Sequence, residues 1–116
     1  METDDLPAEP TLSDVHAMVL KPACANAGCH DDDAAGQLDL STIEASREAL
    51  LAAVPINKLA VRSGWLRVAP GDLDRSFLYR KITQPGLGEG APMPIGLRLT
   101  DPYVQLIARW IEDGAP

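Results

Sequence analysis

Apolar residues recur at helical spacing in four places along the chain. Leu12, Val15 and Val19 are three and four residues apart, which places them on one helix face. Thr11 and Asp14 before them have the spacing of a capping box with a short acid, so a helix is expected from Thr11. Pro22 is predicted to end it, because the residue before a proline is driven out of the α region. Ser41 and Glu44 form a second capping box, and a helix is expected from Thr42 to about Val54, closed by Pro55, with Ile43, Leu50, Leu51 and Val54 as its stripe. A shorter helix is predicted from Asp74 to Ile82, carrying Phe77, Leu78 and Ile82 inward. The clearest pattern is the last. Asp101 can cap it, Pro102 suits its first position, Tyr103, Ile107, Trp110 and Ile111 share a face, and Gly114 ends it.

The intervening stretches have no period. Residues 21–40, KPACANAGCHDDDAAGQLDL, are mostly small and polar and read as a loop. Residues 84–99, QPGLGEGAPMPIGLRL, hold four glycines and three prolines, which forbids a regular element. A loop of this length in a compact domain is functional or disordered. Residues 56–71 carry Leu59, Val61, Trp65, Leu66 and Val68, but Ser63-Gly64 and Pro70-Gly71 interrupt them, and no element is assigned. Residues 1–10, with four acids and two prolines, read as a disordered acidic tail or linker. The expectation is a small all-α domain over residues 11–116, with about four short helices joined by long loops.

Composition sharpens one question. A chain of 116 residues with 46% hydrophobic and 23% charged residues is one globular domain. Yet one Phe, two Trp and two Tyr are few large bodies for a core of this size. The net charge of −7 argues against nucleic acid and against an anionic membrane surface, and it favours a basic protein partner. No apolar run is long enough to span a bilayer. Met1–Pro10 lacks the apolar centre of a signal peptide, so the chain reads as cytosolic as it stands, or as a mature or excised domain.

The candidate chemistry lies in Cys24-Ala25-Asn26-Ala27-Gly28-Cys29-His30. A c-type haem needs two thiols that each add to a vinyl group, and an imidazole that reaches the iron from one face. A His directly after the second Cys meets that need. The usual gap between the cysteines is two residues and here it is four, so the loop must bulge. Its residues are small, and Gly28 can take a positive φ where the loop turns back. A local Cys24–Cys29 disulfide and two unrelated thiols fit the same spacing. Zinc lacks an obvious fourth ligand. His16 would be the candidate, although a lone helix histidine is expected at the surface. Asp31-Asp32-Asp33 suggests a calcium loop, but Ala35 and Thr42 stand where an EF-hand needs ligands, so a solvated acidic turn is the better account.

Of the three methionines, Met1 begins the chain and Met18 has the position of a packing residue on the first helix. Met93 sits between Pro92 and Pro94 in the glycine-rich loop. A rigid frame of this kind suits an axial thioether held opposite His30, and His/Met ligation raises the reduction potential. A core-filling role for Met93 fits as well.

Taken in order, these segments resemble a class I c-type cytochrome domain. The resemblance covers residues 11–116: a helix leading into C-A-N-A-G-C-H, the stretch V-A-P-G-D-L-D-R-S-F-L-Y-R-K-I at 68–82, A-P-M-P-I-G at 91–96, and a final amphipathic helix. It is closest to the bacterial subgroup with four residues between the cysteines. The resemblance implies a cytochrome c-like fold in which the first and last helices cross and one covalent haem c fills the core, supplying the missing aromatic bulk. It implies Cys24 and Cys29 as thioether attachments, His30 as proximal ligand and Met93 as distal ligand. Arg62, Trp65 and Arg67 are candidates for the haem propionates by donor type. The implied function is electron transfer rather than catalysis, with periplasmic or extracytoplasmic assembly and a transient redox partner. The alternatives are a haem protein with an open or displaceable distal site, and a haem-free domain with a Cys24–Cys29 disulfide. His16 is the next candidate for the distal position.

Overall fold

The computed structural model describes residues 7–24, 38–83 and 99–116. Their architecture is all-α, with two isolated parallel bridges and no strand among the described residues. The elements are α1 (Leu12–Val15), a π-helix (His16–Cys24), α2 (Ile43–Leu50), α3 (Lys58–Arg62), a 3₁₀ turn (Leu73–Arg75), α4 (Phe77–Ile82) and α5 (Asp101–Glu112).

The capping box at α1 forms as expected. The Asp14 N–H donates to Thr11 Oγ1 over 3.4 Å, and the Thr11 N–H donates to the Asp14 carboxylate over 3.0 Å. The helix does not stop before Pro22. It continues as a π-helix through Pro22 to Cys24. The proline ring clashes with the carbonyl four residues back in an α-helix, and the wider i→i+5 turn relieves that clash. The buried positions fit the wider turn. Val15, Val19, Leu20 and Cys24 are all in the core, with Val15–Val19 and Leu20–Cys24 four residues apart and Val15–Leu20 and Val19–Cys24 five apart.

The cap of α2 is Thr42, whose Oγ1 accepts from the Ala45 N–H at 3.0 Å. The helix ends at Leu50, four residues short of expectation. Leu51 turns extended there and pairs with Val68, with Ala52 N–H donating to the Val68 carbonyl at 2.9 Å. Val54, expected on the inward stripe, is therefore carried to the surface and is 62% exposed. The unassigned stretch 56–71 contains α3, capped by the Asn57 side chain, and a segment clamped on both sides. Val68 N–H donates to the Leu50 carbonyl, and Phe77 N–H donates to the Leu66 carbonyl. The buried Ser76 hydroxyl accepts from the Ala69 N–H and donates to the Asp72 carbonyl.

The helix α5 starts after Thr100, with Asp101 already helical and no side-chain cap. Its end is a Schellman turn. Gly114 N–H donates to the Ile111 carbonyl and Ala115 N–H to the Trp110 carbonyl, with Gly114 at φ +97°. Leu106, Ile107, Trp110 and Ile111 are buried. α1 packs against α5 and α2, and α4 packs against α5. The Pro116 carbonyl joins the two ends, accepting from the Leu12 N–H at 2.6 Å and from Trp110 Nε1 at 3.1 Å. Pro10, expected in the tail, is buried.

Candidate functional site

Cys24 is the one member of the expected haem-binding set within the described residues. Cys29, His30 and Met93 lie outside them, as do Gly28, Asp31-Asp32-Asp33 and the loop over 84–98. Cys24 is 9% exposed and belongs to the apolar cluster built by Leu12, Val15, Val19, Leu20, Leu40, Trp110 and their neighbours. It stands four residues after buried Leu20, and the π-register also aligns it with Val15. At about 100° per residue, the nine-residue step from Val15 would carry Cys24 to the opposite side of an α-helix. The wider coil returns it to the side of Val15.

The chain comes back from the motif segment at Leu38. Leu38 packs on the same cluster, and Leu40 is fully inside it. His16 fastens the return, its Nε2–H donating to the Leu40 carbonyl over 3.0 Å in a buried position. His16 is 7% exposed, so the expectation of a surface histidine is corrected. The spacing of Leu12, His16, Val19 and Leu20 turns this imidazole inward, and its Nε2 is committed to a structural bond instead of a metal. No cluster of metal-ligating side chains forms among the described residues.

Asp39 then shapes the entry into α2. Its carboxylate accepts from the Ser41 hydroxyl at 2.6 Å and the Ser41 N–H at 2.9 Å. These two bonds hold the carboxyl below its ordinary pKa, the hydroxyl contributing most.

The second segment of interest also springs from this cluster. Ile82, just before it, is buried in the cluster. Leu99, just after it, packs against the cluster, as does Tyr103 one turn into α5. Both ends of both segments therefore meet one apolar body. Met18, expected as a packing residue, packs there too.

Arg62 is exposed at the end of α3. Arg67 Nη1 donates to the Ala49 carbonyl at 3.0 Å, and burial pushes its guanidinium pKa down. Trp65 stacks on Phe77 with ring centroids 6.2 Å apart, and the Arg80 guanidinium lies 4.3 Å from the Trp65 ring centre. Arg67 and Trp65 thus have local packing and bonding partners of their own.

No protein-family model matches the chain, and no curated protein or solved structure matches it significantly.

Proposed function

We propose that the chain is a monohaem c-type cytochrome domain that transfers electrons through a covalent, His/Met-ligated haem c. The observation that carries this reading is the placement of Cys24. The first thiol of the C-x₄-C-H motif is buried in an apolar cluster, on which Leu38, Ile82 and Leu99 also lie. The chemistry of the donors fits the group. Two thiols, an imidazole and a thioether are the set that a His/Met c-type site needs, and an apolar surrounding suits a porphyrin edge.

In this reading Cys24 and Cys29 would hold the haem as two thioethers, which S–H addition to its vinyl groups would form with no redox change. His30 and Met93 would supply the nitrogen and the sulfur that hold the iron. The bound haem supplies the one-electron couple. The protein's part is to keep water from the iron and to keep both ligands in place through the change of charge. The fold is then a cytochrome c-like wrapping of helices around the haem. Assembly is extracytoplasmic, because the thiols must be reduced and meet haem there. With His30 and Met93 both holding the iron, the domain would be a carrier and not an enzyme. Its overall charge favours a basic redox partner.

The test is to produce the chain with an export signal and a haem-attachment system, then take a denaturing intact mass and a visible spectrum of one sample. A mass one haem above the polypeptide, with a Soret band and the weak far-red band of sulfur-ligated ferric iron, is the expected result. Haem mass without the far-red band favours an open distal site, which ready carbon monoxide binding to the reduced protein would identify. A colourless protein two hydrogens below the reduced mass has a Cys24–Cys29 disulfide and overturns the reading.

A further inference from the structure

Charge is unevenly distributed along this acidic chain. Between Glu48 and Asp72 there is no acidic residue at all. The stretch from Arg47 to Lys81 holds seven of the ten basic residues and three of the seventeen acids, a net +4 against −11 for the remainder. The large apolar side chains most exposed among the described residues fall in the same stretch: Val54 at 62%, Ile56 at 54% and Val61 at 47%.

Local geometry gathers these residues onto one face. On α3, Lys58, Val61 and Arg62 stand at i, i+3 and i+4 and are all exposed, while Ala60 on the other side is fully buried. Ile56 precedes the Asn57 cap and Val61 is the fourth helical residue, the two positions that a hydrophobic staple brings together. A staple normally hides its residues, yet here both remain half exposed. Pro55 is buried between Val54 and Ile56, so the two flanking side chains point outward together. Ala52, in the left-handed region at φ 56°, turns the chain out of α2 toward this surface.

We propose that the face made by Val54, Ile56, Lys58, Val61 and Arg62 is a docking surface for an acidic, amphipathic segment of a partner protein. The apolar centre supplies burial, and the flanking cations supply sign and register. The stretch from Arg47 to Lys81 has the opposite sign to the net charge of the remaining sequence, which favours an acidic occupant at this face. A lipid surface fits less well, because two cations beside the patch fall short of the cluster that anionic membranes need. The inference stands on the surface alone and holds whether or not haem is bound. In a haem-bearing carrier it provides a second docking site of opposite sign to the acidic remainder, which suits separate meetings with a donor and an acceptor.

The test is ¹⁵N NMR titration of the full chain with three probes: a synthetic helix of Leu at i, i+3 and i+4 with Glu elsewhere, polyglutamate, and phosphatidylglycerol vesicles. The amphipathic helix should shift amides of residues 54–62 and bind about tenfold tighter than polyglutamate, because apolar burial adds to charge. Lys58→Gln combined with Arg62→Gln should weaken it about tenfold, while Arg109→Gln, on α5, should stay within about twofold. Equal binding of polyglutamate, shifts centred elsewhere, vesicle binding through residues 54–62, or no binding of the helix would each overturn the proposal. The cation variants lie on an exposed face, and unchanged amide positions elsewhere confirm that they fold.

Discussion

His16 shows how much one buried side chain can organise. Its Nε2–H bond to the Leu40 carbonyl ties the chain back to the first helix after the Cys24–Leu38 excursion. His16→Leu keeps the apolar volume but leaves that carbonyl without its donor, so it should cost about 1–3 kcal/mol in denaturant unfolding. An unchanged midpoint would mean that the bond contributes nothing to the return. The Asp39–Ser41 pair makes a claim about pH. Its folded-state pKa lies below the ordinary 3.8, so its contribution is present above that value and is lost as pH falls through the lower folded-state pKa. Ser41→Ala removes the stronger of the two bonds and should raise the Asp39 pKa toward 3.8 in a carboxyl-carbon NMR titration. For the proposed haem site, His30→Ala should abolish the low-spin spectrum. Met93→Ala should leave haem attached by mass while opening the sixth position and lowering the potential. A Met93→Ala spectrum identical to the parent's would remove Met93 as distal ligand. His16 would be a poor substitute, because its Nε2 is already bonded to Leu40.

Among the elements, helix ends do much of the work, since most of these helices are short. Thr11 caps a helix whose α-helical part is only four residues long. Thr11→Ala should therefore cost about 1 kcal/mol by thermal or denaturant unfolding, and the loss should be larger than for an alanine at exposed Ser13. The π-helix that follows has the greatest structural consequence of any element. Its register brings Cys24 to the side of Val15 and Val19 as well as of Leu20. A nine-residue π-helix is long for a conformation found mostly as single turns, often at functional sites. Here it delivers a thiol to the core at the start of the motif segment.

On the scale of the whole molecule, α1 packs against α5 and the Pro116 carbonyl bonds to both Leu12 and Trp110, so the two helices share one core. The core is largely aliphatic, with Trp110 its largest fully buried side chain among the described residues. Charge acts on the same scale. If electrons pass to a basic partner, the second-order electron-transfer rate should fall steeply with added salt, because opposite net charges steer the encounter. A rate independent of salt would remove charge steering by that partner.

The sequence alone determines the start of the first helix at the Thr11–Asp14 capping box, the helical period of α5 and its glycine stop, and the order of the Cys24, Cys29, His30 and Met93 donors. These are local features, legible because caps and apolar spacing act within a few residues. The tertiary structure decides where long-range pairing overrides local preference. Leu51 leaves α2 because Val68 offers it a backbone partner, and that pairing exposes Val54. The local period puts His16 on the core side, but which group its imidazole bonds there is set by the Leu40 carbonyl, twenty-four residues away. Cys24 stands four residues after buried Leu20, but the helix that carries it there widens at His16 and runs through Pro22, which the α-helical period does not anticipate. In each case the deciding partner is distant in sequence or the turn itself changes, and neither is encoded in the period of neighbouring residues.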